Sequence, residues 1–162
     1  MHLYISAERE NTYFIDNIKK YCANSHGRHT CIFLPDLSSL PGETLSTKIM
    51  QNIFGADLIF MDATPKKFLK ETGNKNETEW FTNQRIIVEN TMAVTLGKTE
   101  DMKVYCRVSP NHLHQVLRER IVDVYPMNDD VAFLNYIDKI VTQREQDSYK
   151  LMRQARIGGR FS

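Results

Sequence analysis

No apolar run in this chain approaches the roughly 18–20 residues that a membrane-spanning helix needs, which argues against a helical membrane protein. An excess of one charge is lacking as well. Lys and Arg number 21 and Asp and Glu 20, for a net charge of +1. A balance this close to neutral gives no overall pull toward nucleic acid or an anionic membrane, and neither is an expected partner. Cysteine is scarce: Cys22, Cys31 and Cys106 are odd in number, far apart and form no CxxC pair. That usage excludes a disulfide scaffold and a zinc finger, and fits a reduced, cytoplasmic protein. The stretch Met1–Ser6 enters strand-like sequence directly, without the charged leader and apolar core of a signal peptide. Familiar signatures are missing too. There is no P-loop and no GxGxxG dinucleotide fingerprint, and no GxSxG nucleophile elbow. His26 and His29 flank Gly27-Arg28, and His112 and His114 follow Pro110, but neither pair has further ligands at metal-site spacing, so no metal is expected.

What is present is an alternation of short apolar runs and helical patterns. Strands are expected at Leu3–Ser6, Thr30–Leu34, Asp57–Asp62, Lys103–Val108 and Ile121–Tyr125. The third, Leu58-Ile59-Phe60-Met61, is continuously apolar, as in a strand covered on both faces. Helices are expected at Asn11–Ala23, Thr44–Phe54, Gln84–Leu96, His112–Arg118 and Asp129–Met152, with Gly97 as the stop of the third. Strands alternating with helices imply an α/β fold: a five-stranded doubly wound parallel sheet in flavodoxin-like order, helices on both faces. Ligands then sit beyond the strand carboxyl ends, which directs attention to Ser6–Arg9, Pro35–Leu37, Asp62–Pro65 and Ser109–Asn111. The polar stretch between Pro65 and Asn83 reads as a long loop, either a lid or a surface excursion. The domain is expected to span 1–152, and 153–162 to form a basic tail. From Thr142 onward five basic residues face only Glu145 and Asp147, and Gly158-Gly159 suggests a fraying end.

Glu89 is the most informative residue. On a helix it falls within about 60° of Ile86, Met92, Ala93 and Leu96. A carboxylate on an apolar stripe is costly unless it is paired or functional. Arg85, one turn earlier, offers the alternative of a structural ion pair. Asp62, at the carboxyl end of the third strand, suits a ribose-binding carboxylate, or equally a cap on the turn Asp62-Ala63-Thr64-Pro65.

The runs Gly55–Pro65 (GADLIFMDATP) and Trp80–Lys98 (WFTNQRIIVENTMAVTLGK) resemble the nucleoside 2-deoxyribosyltransferase family and the related TIR-like domains. Glu89 matches the family's catalytic Glu, with Ala93, Gly97 and Lys98 at its spacing and Asn83 six residues before it. The opening Leu3-Tyr4-Ile5-Ser6-Ala7 resembles the first strand, whose Tyr contacts that Glu. The family's Gly two residues after the Glu is Thr91 here. The resemblance covers residues 1–108. It implies cleavage or transfer of an N-glycosidic bond, with Glu89 as nucleophile or oxocarbenium stabiliser and Tyr4 holding it by a hydrogen bond. It also implies that Asp62 and Asn83 bind sugar or base, and that Trp80 or Phe81 stacks on the base. Ser6 and Thr64, at strand ends, complete the candidate substrate-binding set. The substrate would be a nucleoside, a nucleotide or NAD, with no cofactor and with a homo-oligomer as the default assembly. Two alternatives stay open: a TIR-like NAD hydrolase or cyclase in nucleotide signalling or antiviral defence, and a non-catalytic nucleotide-binding module. The basic tail suits an acidic protein partner or a second copy, against a solvated helix end.

Overall fold

A computed structural model describes residues 1–38, 40–72, 75–120 and 122–158. The chain divides into two compact units, Met1–Tyr125 and Pro126–Ser162.

The first unit is built on a parallel sheet. Its strands are β1 (His2–Ser6), β2 (Thr30–Phe33), β3 (Leu58–Asp62), β6 (Met102–Tyr105) and β7 (Val122–Asp123), in the order β2-β1-β3-β6-β7. All four neighbouring pairs run parallel. This is the expected doubly wound order. Every residue of β3 is buried, as its unbroken apolar run requires. Helices α1 (Thr12–Ala23), α2 (Leu45–Gly55), α3 (Gln84–Thr95) and α4 (Gln115–Arg118) connect the strands. Residues alternate between the two faces of the sheet. Tyr4, Ile59, Met61 and Val104 share one face and a buried cluster with Ile49 and Ile53 of α2 and Ile86 and Ala93 of α3. Phe60 and Tyr105 lie on the other face. There Phe14 of α1 meets Tyr105 at 5.8 Å and Tyr125 at 5.0 Å between ring centroids.

The expected long loop after Pro65 is instead an antiparallel hairpin, β4 (Lys66–Thr72) with β5 (Lys75–Phe81). Its turn residues, Gly73 among them, lie outside the described residues. Its apolar residues come in adjacent pairs, Phe68-Leu69 and Trp80-Phe81, with Phe68, Leu69 and Phe81 exposed, so no alternating strand signal can be read. Ring contacts mark its two surfaces. Phe68 packs edge-on to Phe81 at 5.4 Å, and Lys67 Nζ lies 5.8 Å from the Trp80 ring.

Helix α3 starts and stops where the sequence indicates. Asn83 caps it, its side chain accepting from the Arg85 N–H at 2.9 Å. At the far end Gly97 takes φ +71°, a conformation that favours glycine, and the Lys98 N–H donates to the Ala93 carbonyl at 2.8 Å. Lys98 Nζ also donates to the Ala56 carbonyl at 2.8 Å. The Gly-Lys pair of the family-like pattern therefore terminates and anchors α3.

In the second unit one helix, α5 (Asp130–Gly158), runs through the expected boundary at 152/153. Residues 153–158 are its last turns rather than a separate tail, because good helix formers such as Lys150, Leu151, Met152, Arg153 and Arg156 carry it on. Arg160 and the rest of the expected frayed end lie outside the described residues. Among the described residues no helix is long and apolar enough to cross a membrane. All three cysteines are free thiols.

Candidate active site

The carboxyl end of β1 and the middle of α3 bring the first group of polar residues together. Parity places Tyr4 and Ser6 on the α3 side of the sheet. Glu89 comes down onto them and is 1% exposed. Ser6 Oγ donates to Glu89 Oε2. Arg85 Nε stands 3.4 Å from Oε1, an ion-pair contact without hydrogen-bond alignment. The same guanidinium donates through Nη2 to the Ala7 carbonyl, which ties the pair to the loop leaving β1. The expected alternative, an Arg85–Glu89 ion pair, is thus present, but around a buried carboxylate rather than at the rim of the helix. Tyr4 Oη is buried close to that carboxylate.

Burial pushes the Glu89 carboxyl above its ordinary range. The Ser6 hydroxyl and the Arg85 charge pull the other way, and burial prevails. Burial first, and the Glu89 charge second, push the Tyr4 phenol far up, so it remains a neutral donor. A carboxyl held above its usual range by burial, with a cation and a hydroxyl on its oxygens, is poised to gain or lose a proton or to form a covalent ester.

Two features of the site go beyond what the sequence indicates. The first is that Ser6, a candidate substrate-binding residue, donates directly to the Glu89 carboxylate. The second is Asn90. It is 0% exposed, and neither Oδ1 nor Nδ2 finds a hydrogen-bond partner among the described residues. An unmade buried hydrogen bond costs about 1–3 kcal/mol. The signal was present, since Asn90 follows Ile86 by four residues and precedes Ala93 by three, a polar residue on the apolar stripe. Thr91, by contrast, is exposed and bonds back to the Ile87 carbonyl at 2.8 Å, so it does not crowd Glu89.

Asp62 does not join Glu89. It pairs in register with Tyr105, while Ser6 pairs with Met61, so Asp62 and Ser6 face opposite sides of the sheet. Asp62 is 5% exposed and receives a hydrogen bond from Asn11 Nδ2 and one of 3.3 Å from Tyr125 Oη. The Thr64 N–H donates to it at 3.0 Å, the turn cap that the sequence allowed, and the Thr64 hydroxyl donates as well. Arg107 Nη2 lies 3.9 Å away. Burial, then the Asp62 charge, pushes the Tyr125 phenol up to about 12. This group borders a cleft of about 130 Å³ that Glu8, Glu10, Lys66 and Arg107 also line.

The remaining expected contacts are engaged elsewhere. Asn83 is exposed and its carbonyl oxygen caps α3. Trp80 is stacked on His112 at 4.3 Å between centroids. His114 caps α4 through Nδ1, 3.4 Å from the Val116 N–H. Replacing Asn83 by Ala is expected to cost about 1 kcal/mol through loss of the cap. Urea unfolding of the variant checks this; an unchanged midpoint would refute the capping role.

No family model matches the sequence, and no curated protein matches it. Among solved structures the chain is similar to the CMP N-glycosidase of Clostridium botulinum, with a TM-score of 0.47 and 11% identity over 85% of this chain and 98% of that chain.

Proposed function

We propose that this protein breaks, or transfers across, the N-glycosidic bond of a nucleoside, nucleotide or NAD-like substrate, with Glu89 as the reacting group. The observation that carries this reading is the Glu89 carboxyl itself, buried at the carboxyl end of β1 between Ser6 and Arg85. In the ionised form an oxygen of Glu89 attacks the anomeric carbon from the side opposite the base. The new C–O bond forms as the C–N bond breaks; a nucleoside base leaves with the bonding electrons and takes up a proton from solvent, whereas nicotinamide leaves NAD as a neutral molecule. Water, or a second base, then displaces the sugar from the ester and regenerates the carboxylate. Arg85 and Ser6 favour the ionised form that the attack requires, against the effect of burial. No metal or redox group takes part.

Purified protein, incubated with nucleosides, nucleotides and NAD and followed by chromatography for released base, tests the reading. Release that depends on Glu89 supports it; release from none of them overturns it. Nicotinamide released from NAD alone would assign the TIR-like variant. One observation favours a second reading, a binding module without turnover: both Glu89 oxygens are engaged and the residue is 1% exposed. Ligand binding without release would identify it. Exposed Arg153 and Arg156 on α5 are the proposed contact for an acidic partner or a second copy. Sedimentation at low and high salt reads this out, and a monomer at both, with no partner bound, removes it.

A further inference from the structure

Asn90 is a fully buried carboxamide, one residue beyond Glu89, with neither of its polar atoms bonded among the described residues. It lies on the helix face of Ile86 and Ala93, and those two share a buried cluster with Tyr4. Tyr4 in turn holds its buried phenol beside Glu89. Polar groups buried in such a setting are normally satisfied, and the exceptions call for a partner or a function. Asn90 and Tyr4 together offer an acceptor, two amide donors and a phenolic donor. That set matches a neutral hydroxyl, which both donates and accepts. It suits a phosphate poorly, because the amide oxygen would face negative charge, and an apolar ring would leave every one of these groups unsatisfied.

The geometry of the proposed reaction says which hydroxyl this is. A carboxylate displacing the base approaches the anomeric carbon from the face opposite the base. In a β-ribonucleoside the 2′-hydroxyl projects from that same face, on the adjacent carbon. A polar group next to the attacking carboxylate therefore meets the 2′-hydroxyl before any other.

We propose that Asn90, assisted by Tyr4, recognises the sugar 2′-hydroxyl beside Glu89, so that the site selects ribosyl over 2′-deoxyribosyl substrates. This rests on the glycosidase reading of Glu89. A site built to bond a hydroxyl discriminates strongly against the analogue that lacks it, since its own buried groups are then left unpaired.

The test uses the full chain with two matched pairs, CMP with dCMP and AMP with dAMP. Wild type is expected to release base from the ribonucleotide at least about tenfold faster in kcat/KM. Asn90→Leu, close in shape and free of unpaired polar atoms, is expected to melt no lower than wild type. Its rate on the ribonucleotide should fall about tenfold or more while the deoxyribonucleotide rate stays within about twofold, bringing the ratio near one. Asn90→Ser, which keeps a hydroxyl, should restore part of the preference. The same preference should appear in the binding of the two nucleotides to Glu89→Gln and vanish in the Glu89→Gln/Asn90→Leu double variant. A purely structural Asn90 would shift both sugars equally, and that result, or a preference unchanged in Asn90→Leu, overturns the assignment. If wild type releases base from neither member of either pair, the glycosidase reading fails and this inference fails with it; base release by wild type without a preference for the ribonucleotide rejects Asn90 alone.

Discussion

Glu89→Gln is expected to reduce base release by about a thousandfold or more while leaving the protein folded, because the amide keeps the shape of the side chain but cannot form the glycosyl ester. The stability of this variant carries separate information. Folding raises the Glu89 pKa, so folded protein binds more protons than unfolded protein between the ordinary carboxyl value and the raised one. The Glu89 contribution to stability is therefore fully present below the ordinary carboxyl range and is lost as pH rises through the raised value. Glutamine does not titrate, so the variant lacks this decline. Its amide oxygen still accepts the Ser6 hydroxyl. Arg85 loses its partner, but its side chain is 25% exposed and can be solvated. Near pH 8 the variant should melt at or above the wild-type temperature, and near pH 4 below it or equal to it. A residue kept for function at a cost in stability shows this inverse pattern. Undiminished base release would remove Glu89 from the chemistry. A melting profile parallel to wild type from pH 4 to pH 8 would show that its ionisation is not coupled to folding.

The parts of this arrangement differ in how far the sequence revealed them. The unbroken apolar run of β3 and the periodic, Gly-terminated pattern of α3 are local signals, and both elements form where those signals place them. Glu89 was visible because helical periodicity alone sets it on an apolar face. The hairpin was not, since its apolar residues sit in adjacent pairs, Phe68-Leu69 and Trp80-Phe81, and do not alternate with polar ones along a strand. The separation of Asp62 from Glu89 was also hidden. Both residues follow strand-like or helical patterns that point to the strand carboxyl ends, but the face each occupies depends on register. A shift of one residue, Ser6 opposite Met61 rather than Asp62, sends the two carboxylates to opposite sides of the sheet. The partners of Asp62 were beyond reach for another reason. Asn11 and Tyr125 stand 51 and 63 residues away in the chain, and only the closed fold makes them neighbours.

That separation predicts a variant with the opposite behaviour. Asn11→Ala is expected to be strongly destabilising, with little effect on the reaction of molecules that remain folded. Its side chain caps α1, accepting from the Phe14 N–H at 3.3 Å, and its amide donates to the buried Asp62 and, at 3.1 Å, to Tyr125 Oη. Loss of the cap costs about 1 kcal/mol. Loss of a hydrogen bond to a buried charged group costs about 1.5–3 kcal/mol more. Together these are about 2.5–4 kcal/mol, or roughly 10 °C in melting temperature for a chain of this length. Asn11→Ser separates the two terms, because serine caps a helix well but does not carry the amide donor, and it should recover only the smaller part. Assayed well below its melting temperature, Asn11→Ala should keep kcat near wild type, since Asp62 and Glu89 work on opposite faces of the sheet. A stable Asn11→Ala protein would refute the double role of the side chain. A stable fold with base release abolished would return Asp62 to the reaction and join the two polar groups into one site around the end of β1.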